Sequence, residues 1–407
     1  MPRCVLLILS LLIPFTPSFA QKEYKQLRGY IKSGSNLDKA LELVEQCKQD
    51  SLMGQDPRLY ALAYEVEKER NEEQNTKLYL KQSYDTVVFF SSIYGIFDNM
   101  LLWDEKEGQP DSKGRIRHNS RDKIHSTLLK YYPNLFAGGL YHLKKKSYDD
   151  AHKMFSLYLD LADNDIFVAD SLQKTDTHRP RAAFWALLCS FEQKDYEGVF
   201  KYSKLARQDT TNIDICLQYE VMANSHLGRT DAMLETLKLG ILIEPQNHYF
   251  FTHLIDYYNR ELDYQSSLNL CQLMIESDTT EMLYHFARGT VLFNLRSYDE
   301  CLEEMQTVLE CDTSFVETEY FMASCYYNQA VDIEHELSLD MEEQCFLDTR
   351  QQMLDLYAQA LPYMETYRSR RPDDTARWGN PLYKMYLTLN DAEKFKEIEG
   401  ILATEKE

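Results

Sequence analysis

The chain is 407 residues long, with 44 Lys and Arg set against 65 Asp and Glu for a formal net charge of −21. At 44% hydrophobic and 13% aromatic residues, it carries enough apolar side chain for a large folded core, which excludes disordered and collagen-like chains. The acidic balance argues against nucleic acid as a partner, because neutralising phosphates takes a net basic face.

The first feature in chain order is the N-terminal segment. Arg3 carries its only charge, the run from Cys4 to Phe15 is nearly all apolar, and Ser18-Phe19-Ala20 has a small residue at each end. This pattern predicts a signal peptide over residues 1–20, cut after Ala20, and a mature chain exported to a periplasm or to the cell exterior. Pro14 and Pro17 interrupt the apolar run, leaving it short of the ~18 to 20 residues that span a bilayer. After Gln21 no segment reads as long and apolar enough for a membrane helix, so the mature chain is expected to have no transmembrane segment.

Residues 21–131 read as an N-terminal helical region. Tyr24 to Ile31, followed by Leu37, Ala40, Val44 and Cys47, has the spacing of a helix pair. Asn75 to Trp103 reads as one long helix and residues 104–123 as a polar loop. Within that loop Arg115, Arg117, His118, Arg121 and Lys123 reverse the local charge and are candidates for docking an anionic partner. The competing expectation is an ordinary exposed loop, balanced by Asp104, Glu105 and Glu107.

From residue 132 to 376 the sequence repeats. Lys194-Asp195-Tyr196-Glu197, Gly228-Arg229-Thr230-Asp231, Leu262-Asp263-Tyr264-Gln265 and Arg296-Ser297-Tyr298-Asp299 are related phrases, and their third residues step by 34. Paired helices at that period make the chain resemble the tetratricopeptide repeat family, and in particular the exported members found in Bacteroides-type bacteria. Packing positions of the second helices recur at i, i+4 and i+7, as in Met233, Leu237 and Gly240 or Cys301, Met305 and Val308. An earlier repeat runs through Tyr148, Ala151, Phe155 and Tyr158. Insertions are expected near 160–178 and 328–350, the second an acidic helix from Asp332 to Asp348, and residues 377–407 as a helical cap. The expected fold is all-α, an α-solenoid of stacked antiparallel helix pairs.

Eight cysteines follow Cys4. They sit in apolar helical patterns, so buried free thiols are expected, with Cys311 to Cys345 and Cys271 to Cys301 as the first disulfide pairs to test. Phosphate-cradling glycine loops, nucleophile elbows and His-Glu-x-x-His are absent from the sequence. Asp160, Asp163, Asp165 and Asp170 cluster without the glycine and terminal glutamate of a calcium loop. The sequence therefore predicts no enzyme, no metal site and no cofactor.

The family resemblance implies a concave groove lined by the first helices. Its positions fall on Phe184, Leu188, Gln218, Met222, Thr252, Asp256, Asn259, Phe286, Thr290, Phe293, Tyr320, Ser324 and Tyr327. The Lys, Asn and Arg set that grips C-terminal carboxylates in some members is missing. An aromatic, neutral to acidic groove favours a protein or peptide partner with apolar or basic side chains. Glycan binding is the alternative, and it calls for exposed aromatic platforms.

Overall fold

The computed structural model describes residues 17–110, 113–337 and 342–404. The predicted signal peptide lies outside the described residues, apart from the backbone of 17–20, which begins the first helix. Among the described residues all regular structure is helical, and the chain forms two compact units, one ending at Thr236 and the other beginning at Leu237.

The first unit holds α1 (Pro17–Ser33), α2 (Leu37–Gln49), α3 (Pro57–Tyr79), α4 (Thr86–Glu107), α5 (Arg121–Lys144) and α6 (Tyr148–Asp160). Two short 3₁₀ turns then lead to α7 (Leu172–Thr175), α8 (Arg179–Glu192), α9 (Ser203–Ala206) and α10 (Ile213–His226). The division falls inside α11 (Thr230–Ile243). The second unit continues with α12 (His248–Arg260), α13 (Tyr264–Ser277), α14 (Met282–Asn294), α15 (Tyr298–Cys311), α16 (Val316–Glu336), α17 (Glu343–Arg370), α18 (Thr375–Thr388) and α19 (Ala392–Thr404).

The 34-residue period is a property of the backbone. Helices α11, α13 and α15 start at Thr230, Tyr264 and Tyr298, and α12, α14 and α16 start at His248, Met282 and Val316. Between partners the chain turns in one way. A residue with left-handed φ comes after the first helix at Lys194, Gly228, Leu262 and Arg296. The next amide then reaches back to a carbonyl of the last turn, as from Asp195 to Ser190 and from Asp263 to Tyr258, both at 2.9 Å. This is the Schellman closure, which satisfies carbonyls that a helix end leaves open. The same closure ends α3 at Lys81, α5 at Lys146 and α18 at Asn390.

Small residues let partners approach. A Cβ added at Gly139 of α5 would lie 2.5 Å from the Phe155 ring of α6, and one at Gly240 of α11 would lie 2.3 Å from the Phe250 ring of α12. The first unit is built on one continuous apolar core that includes Leu27, Leu59, Phe97, Leu135, Phe155 and Leu187, each fully buried. In the second, Tyr357, Met364, Tyr367 and Trp378 pack together in one cluster, and Cys301, Met305 and Cys325 in another.

Several expectations are corrected. The long helix expected over Asn75 to Trp103 is two helices, because the chain closes at Lys81 and Asp85 then caps α4, accepting from the amides of Val87 and Val88. The polar loop is shorter than 104–123, since α4 runs to Glu107 and α5 begins at Arg121. Contrary to the expectation that nothing after Gln21 is long and apolar enough to cross a membrane, α4 is so by length and composition. Its apolar residues Ile93, Ile96, Phe97 and Met100 are fully buried, and it packs against α3 and α5. The second helix of the 196 repeat is broken into a 3₁₀ turn, Gly198–Phe200, and α9, consistent with a glycine and aromatic residues of weak helix propensity at that point. The acidic insertion is no separate helix: α16 and α17 have 21 and 28 residues against 13 or 14 in their counterparts, and 338–341 between them lie outside the described residues.

Candidate functional site

The insertion after α6 is folded onto its own unit rather than left as a solvated loop. Ile166, Phe167 and Leu172 are buried. Two buried tyrosines, Tyr132 of α5 and Tyr158 of α6, stack with ring centroids 4.4 Å apart, and both hydroxyls donate to the Asp176 carboxylate. Burial, reinforced by Asp176, pushes both phenols upward in pKa, so they remain donors. Three of the four clustered aspartates have partners: Asp160 pairs with Lys201 at 2.9 Å, Asp170 with His125 at 2.7 Å, and Asp163 accepts from Gln173. No group of three ligating side chains placed to hold a metal occurs among the described residues.

The cationic loop is latched to α4. Arg121 grips Asp104 through two bonds of 3.0 and 2.6 Å, His118 Nδ1 lies 3.0 Å from the same carboxylate, and Ser120 donates to Glu107 from both its amide and its hydroxyl. Against the upward pull of burial, Arg121 and His118 hold the Asp104 carboxyl below its ordinary range. Lys123 faces Glu65 at 3.4 Å and lies over the rings of Tyr64 and Trp103. Arg115 and Arg117 are exposed.

The predicted groove residues divide by burial. In the first unit Phe184 is 2% exposed, its ring packed with Trp185 inside the core, so it is corrected from a ligand contact to a core residue. Leu188, Gln218 and Met222 are half-buried. In the second unit Ser324 is corrected likewise: it lies buried between Ala323 and Cys325, where α16 is covered on a wide arc by α15 and α17. Asp256 is exposed, Asn259 accepts from the Ser267 hydroxyl at 2.8 Å, and the Thr252 and Thr290 hydroxyls turn back to carbonyls of their own helices.

The structure brings the second unit's aromatics together. Phe286 and Phe293 of α14 both meet Phe321 of α16 edge to face, at 5.7 and 5.3 Å between centroids. Tyr320 lies between Tyr367 and the Arg377 guanidinium, and Tyr327 lies against Tyr357. Phe286, Phe293, Tyr320, Phe321 and Tyr327 are all half-buried, so each spends part of its surface on a neighbouring helix and presents the rest. Trp103 and Trp378 are buried and Trp185 half-buried, so the tryptophans form no exposed platform.

All eight described cysteines are free, and all but Cys311 and Cys345 are buried. Burial pushes Cys47 up to about 11 and Cys189 and Cys271 up to about 12, which leaves them far from thiolate character at neutral pH. The thiol that meets Cys301 is Cys325, not the expected Cys271.

Sequence reasoning missed the buried and half-buried ion pairs. Glu220 of α10, 1% exposed, is held by the Arg207 guanidinium, and Glu304 of α15 joins His285 and Arg288 of α14 at 2.7 Å each. It also missed Arg179, at the start of α8 and 7% exposed. No local signal marks it, because the same first turn also carries Arg181, which is paired with Asp209.

No known protein family matches the chain, and no curated protein matches it. Solved structures do. The C-terminal part of a TPR repeat-containing protein from Cytophaga hutchinsonii is 14% identical with a TM-score of 0.43, the match covering 66% of this chain and 94% of that one. A TPR repeats protein from Bacteroides fragilis is 14% identical at a TM-score of 0.31, covering 66% and 98%. The TPR2AB domain of yeast Sti1, solved in a complex with pHSP90, is 13% identical at 0.24, covering 65% and 99%. The chain is similar to tetratricopeptide repeat proteins, and the 34-residue step of its own helices and turns is what carries that similarity.

Proposed function

We propose that the chain is a non-enzymatic, exported scaffold that holds a protein or peptide partner on the first-helix face of its repeats. The observation that supports this reading is the row of half-buried aromatics on α14 and α16, namely Phe286, Phe293, Tyr320, Phe321 and Tyr327. Rings fixed by edge-to-face packing lose little entropy when a partner covers them, which suits them as anchors. The exposed Asp256 and the chain's charge of −21 favour a partner with basic residues beside its apolar ones. Export is inferred from the segment before Gln21 and belongs to the same proposal.

The test is a pull-down from an envelope extract using residues 21–407. The comparison is a Phe286→Ala, Tyr320→Ala double variant whose helicity matches wild type by circular dichroism, together with Asp256→Lys, which removes no packing. A partner kept by wild type, lost by the double variant and weakened by Asp256→Lys supports the aromatic face. Equal recovery by all three rejects it.

A further inference from the structure

A second surface, in the first unit and apart from the aromatic face, has the make-up of an anion site. A cleft of about 660 Å³ opens between the end of α6, the start of α8 and the segment around α9. Its cationic lining is Arg179, Lys201 and Lys204, and among the described residues the one carboxylate on its wall is Asp163. That is a local excess of positive charge in a strongly acidic chain.

Arg179 is the unusual member. It is 7% exposed, and its only hydrogen bond among the described residues runs from Nη1 to the Leu159 carbonyl at 3.1 Å. No carboxylate lies within ion-pair distance of it among the described residues, whereas the buried Glu220 and Asp209 each hold an arginine of their own. Asp176, the acid closest along the chain, is occupied by the hydroxyls of Tyr132 and Tyr158. A guanidinium has five N–H donors and keeps its charge when buried. A fork held this deep by one neutral acceptor is completed by an anion that reaches its open N–H groups. The capping of a carbonyl at the end of α6 explains one donor, and none of the other guanidinium nitrogens is sealed from the surface, so they open onto the cleft that Arg179 lines.

The remaining lining fits such an anion. Lys204 makes no ion pair among the described residues, and Lys201 is tied to Asp160 on the side of α6 with its ammonium over the Tyr202 ring at 4.7 Å. Asp163 is engaged by Gln173. With Asp163 on the wall and Asp160 held by Lys201, the cations of the opening remain in excess, and the planar fork of Arg179 suits phosphate oxygens. The volume exceeds what a phosphate fills, and Leu159, Leu205 and Tyr202 supply an apolar wall for attached carbon.

We propose that this cleft binds the phosphate group of a small phosphomonoester, with Arg179 as the buried anchor and Lys204 and Lys201 at the mouth. The probes are inorganic phosphate, glucose 6-phosphate and glucose, titrated calorimetrically into the full chain at low ionic strength. Saturable one-to-one binding of both phosphates and none of glucose is expected. Tighter binding of the ester than of the free ion identifies a phosphomonoester; the reverse order assigns the site to inorganic phosphate and overturns the ester part of the proposal. Lys204→Ala, which breaks no ion pair among the described residues, is expected to weaken binding about 3- to 10-fold, in line with one charge-assisted contact. Arg179→Gln is expected to abolish it while leaving unliganded stability equal or higher, since a purely structural arginine would instead lower stability on removal. Lys174→Ala, outside the lining, should change nothing. Absence of saturable phosphate binding by wild type, or binding unaffected by both Lys204→Ala and Arg179→Gln, overturns the site.

Discussion

At residue scale the repeat turns are closed by residues that are poorly suited to them. Leu262 has φ of 57°, is 68% exposed and contributes little packing in return. A left-handed conformation costs an L-residue roughly 1–2 kcal/mol, and the extra unfolded-state freedom of glycine returns about 0.5–1 kcal/mol of that. Leu262→Gly is therefore expected to stabilise the chain by about 0.5–1 kcal/mol, read as a higher denaturant midpoint at unchanged slope, and a lower midpoint would contradict this account of the turn. Gly228 already occupies the equivalent position one repeat earlier. These turns were legible through the helix starts just after them, the Asp-Tyr, Arg-Thr, Asp-Tyr and Ser-Tyr pairs at constant spacing, because helix starts carry local side-chain signals. Arg179 as a buried cation was not legible, nor were Tyr132, Tyr158 and Asp176 as one group. These depend on residues up to 44 positions apart meeting, and no local pattern records such a meeting.

At the scale of elements, helices and turns within the 34-residue repeat were legible, and the joints outside it were not. The break at residues 80–85 is signalled only by Asp85 as a cap, and the extra length of α16 and α17 by an acidic stretch equally suited to a separate helix. In the loop between α4 and α5, two of the candidate docking cations, Arg121 and Lys123, face carboxylates of the chain itself, while Arg115 and Arg117 stay exposed. Asp104 is the centre of that latch, and its carboxyl is lower in pKa than in an unfolded chain. A carboxyl with a depressed folded value contributes stability above its unfolded value of about 3.9, and loses that contribution as pH falls through the folded value. Asp104→Asn is thus expected to speed tryptic cleavage at Arg115 and Arg117 at neutral pH while thermal stability of the remainder changes little. In the wild type, the protection factors of the amides of residues 113–120, taken against the falling intrinsic exchange rate, should drop on going from pH 5 to pH 3. Unchanged cleavage in the variant would mean that the loop is held by Glu107 and Ser120 alone.

For the whole molecule, stability is a sum over neighbours. Each helix pair leaves an apolar face that only the next element covers, so a defect weakens the elements next to it first. Gly139 offers a sharp probe, since a side chain there meets the Phe155 ring, which is 0% exposed and has no room to swing aside. Gly139→Val should cost about 1–3 kcal/mol by overpacking, against a small gain from replacing a helical glycine. Hydrogen exchange read out by mass spectrometry should then show lost protection in α4, α5, α6 and α8, which pack in succession along the first unit. Helices α14 to α19, which belong to the second compact unit and have apolar clusters of their own, should exchange as in wild type. If protection fell equally across both units, the chain would be one cooperative block, and the nearest-neighbour description drawn from its repeat would fail even with every helix in place.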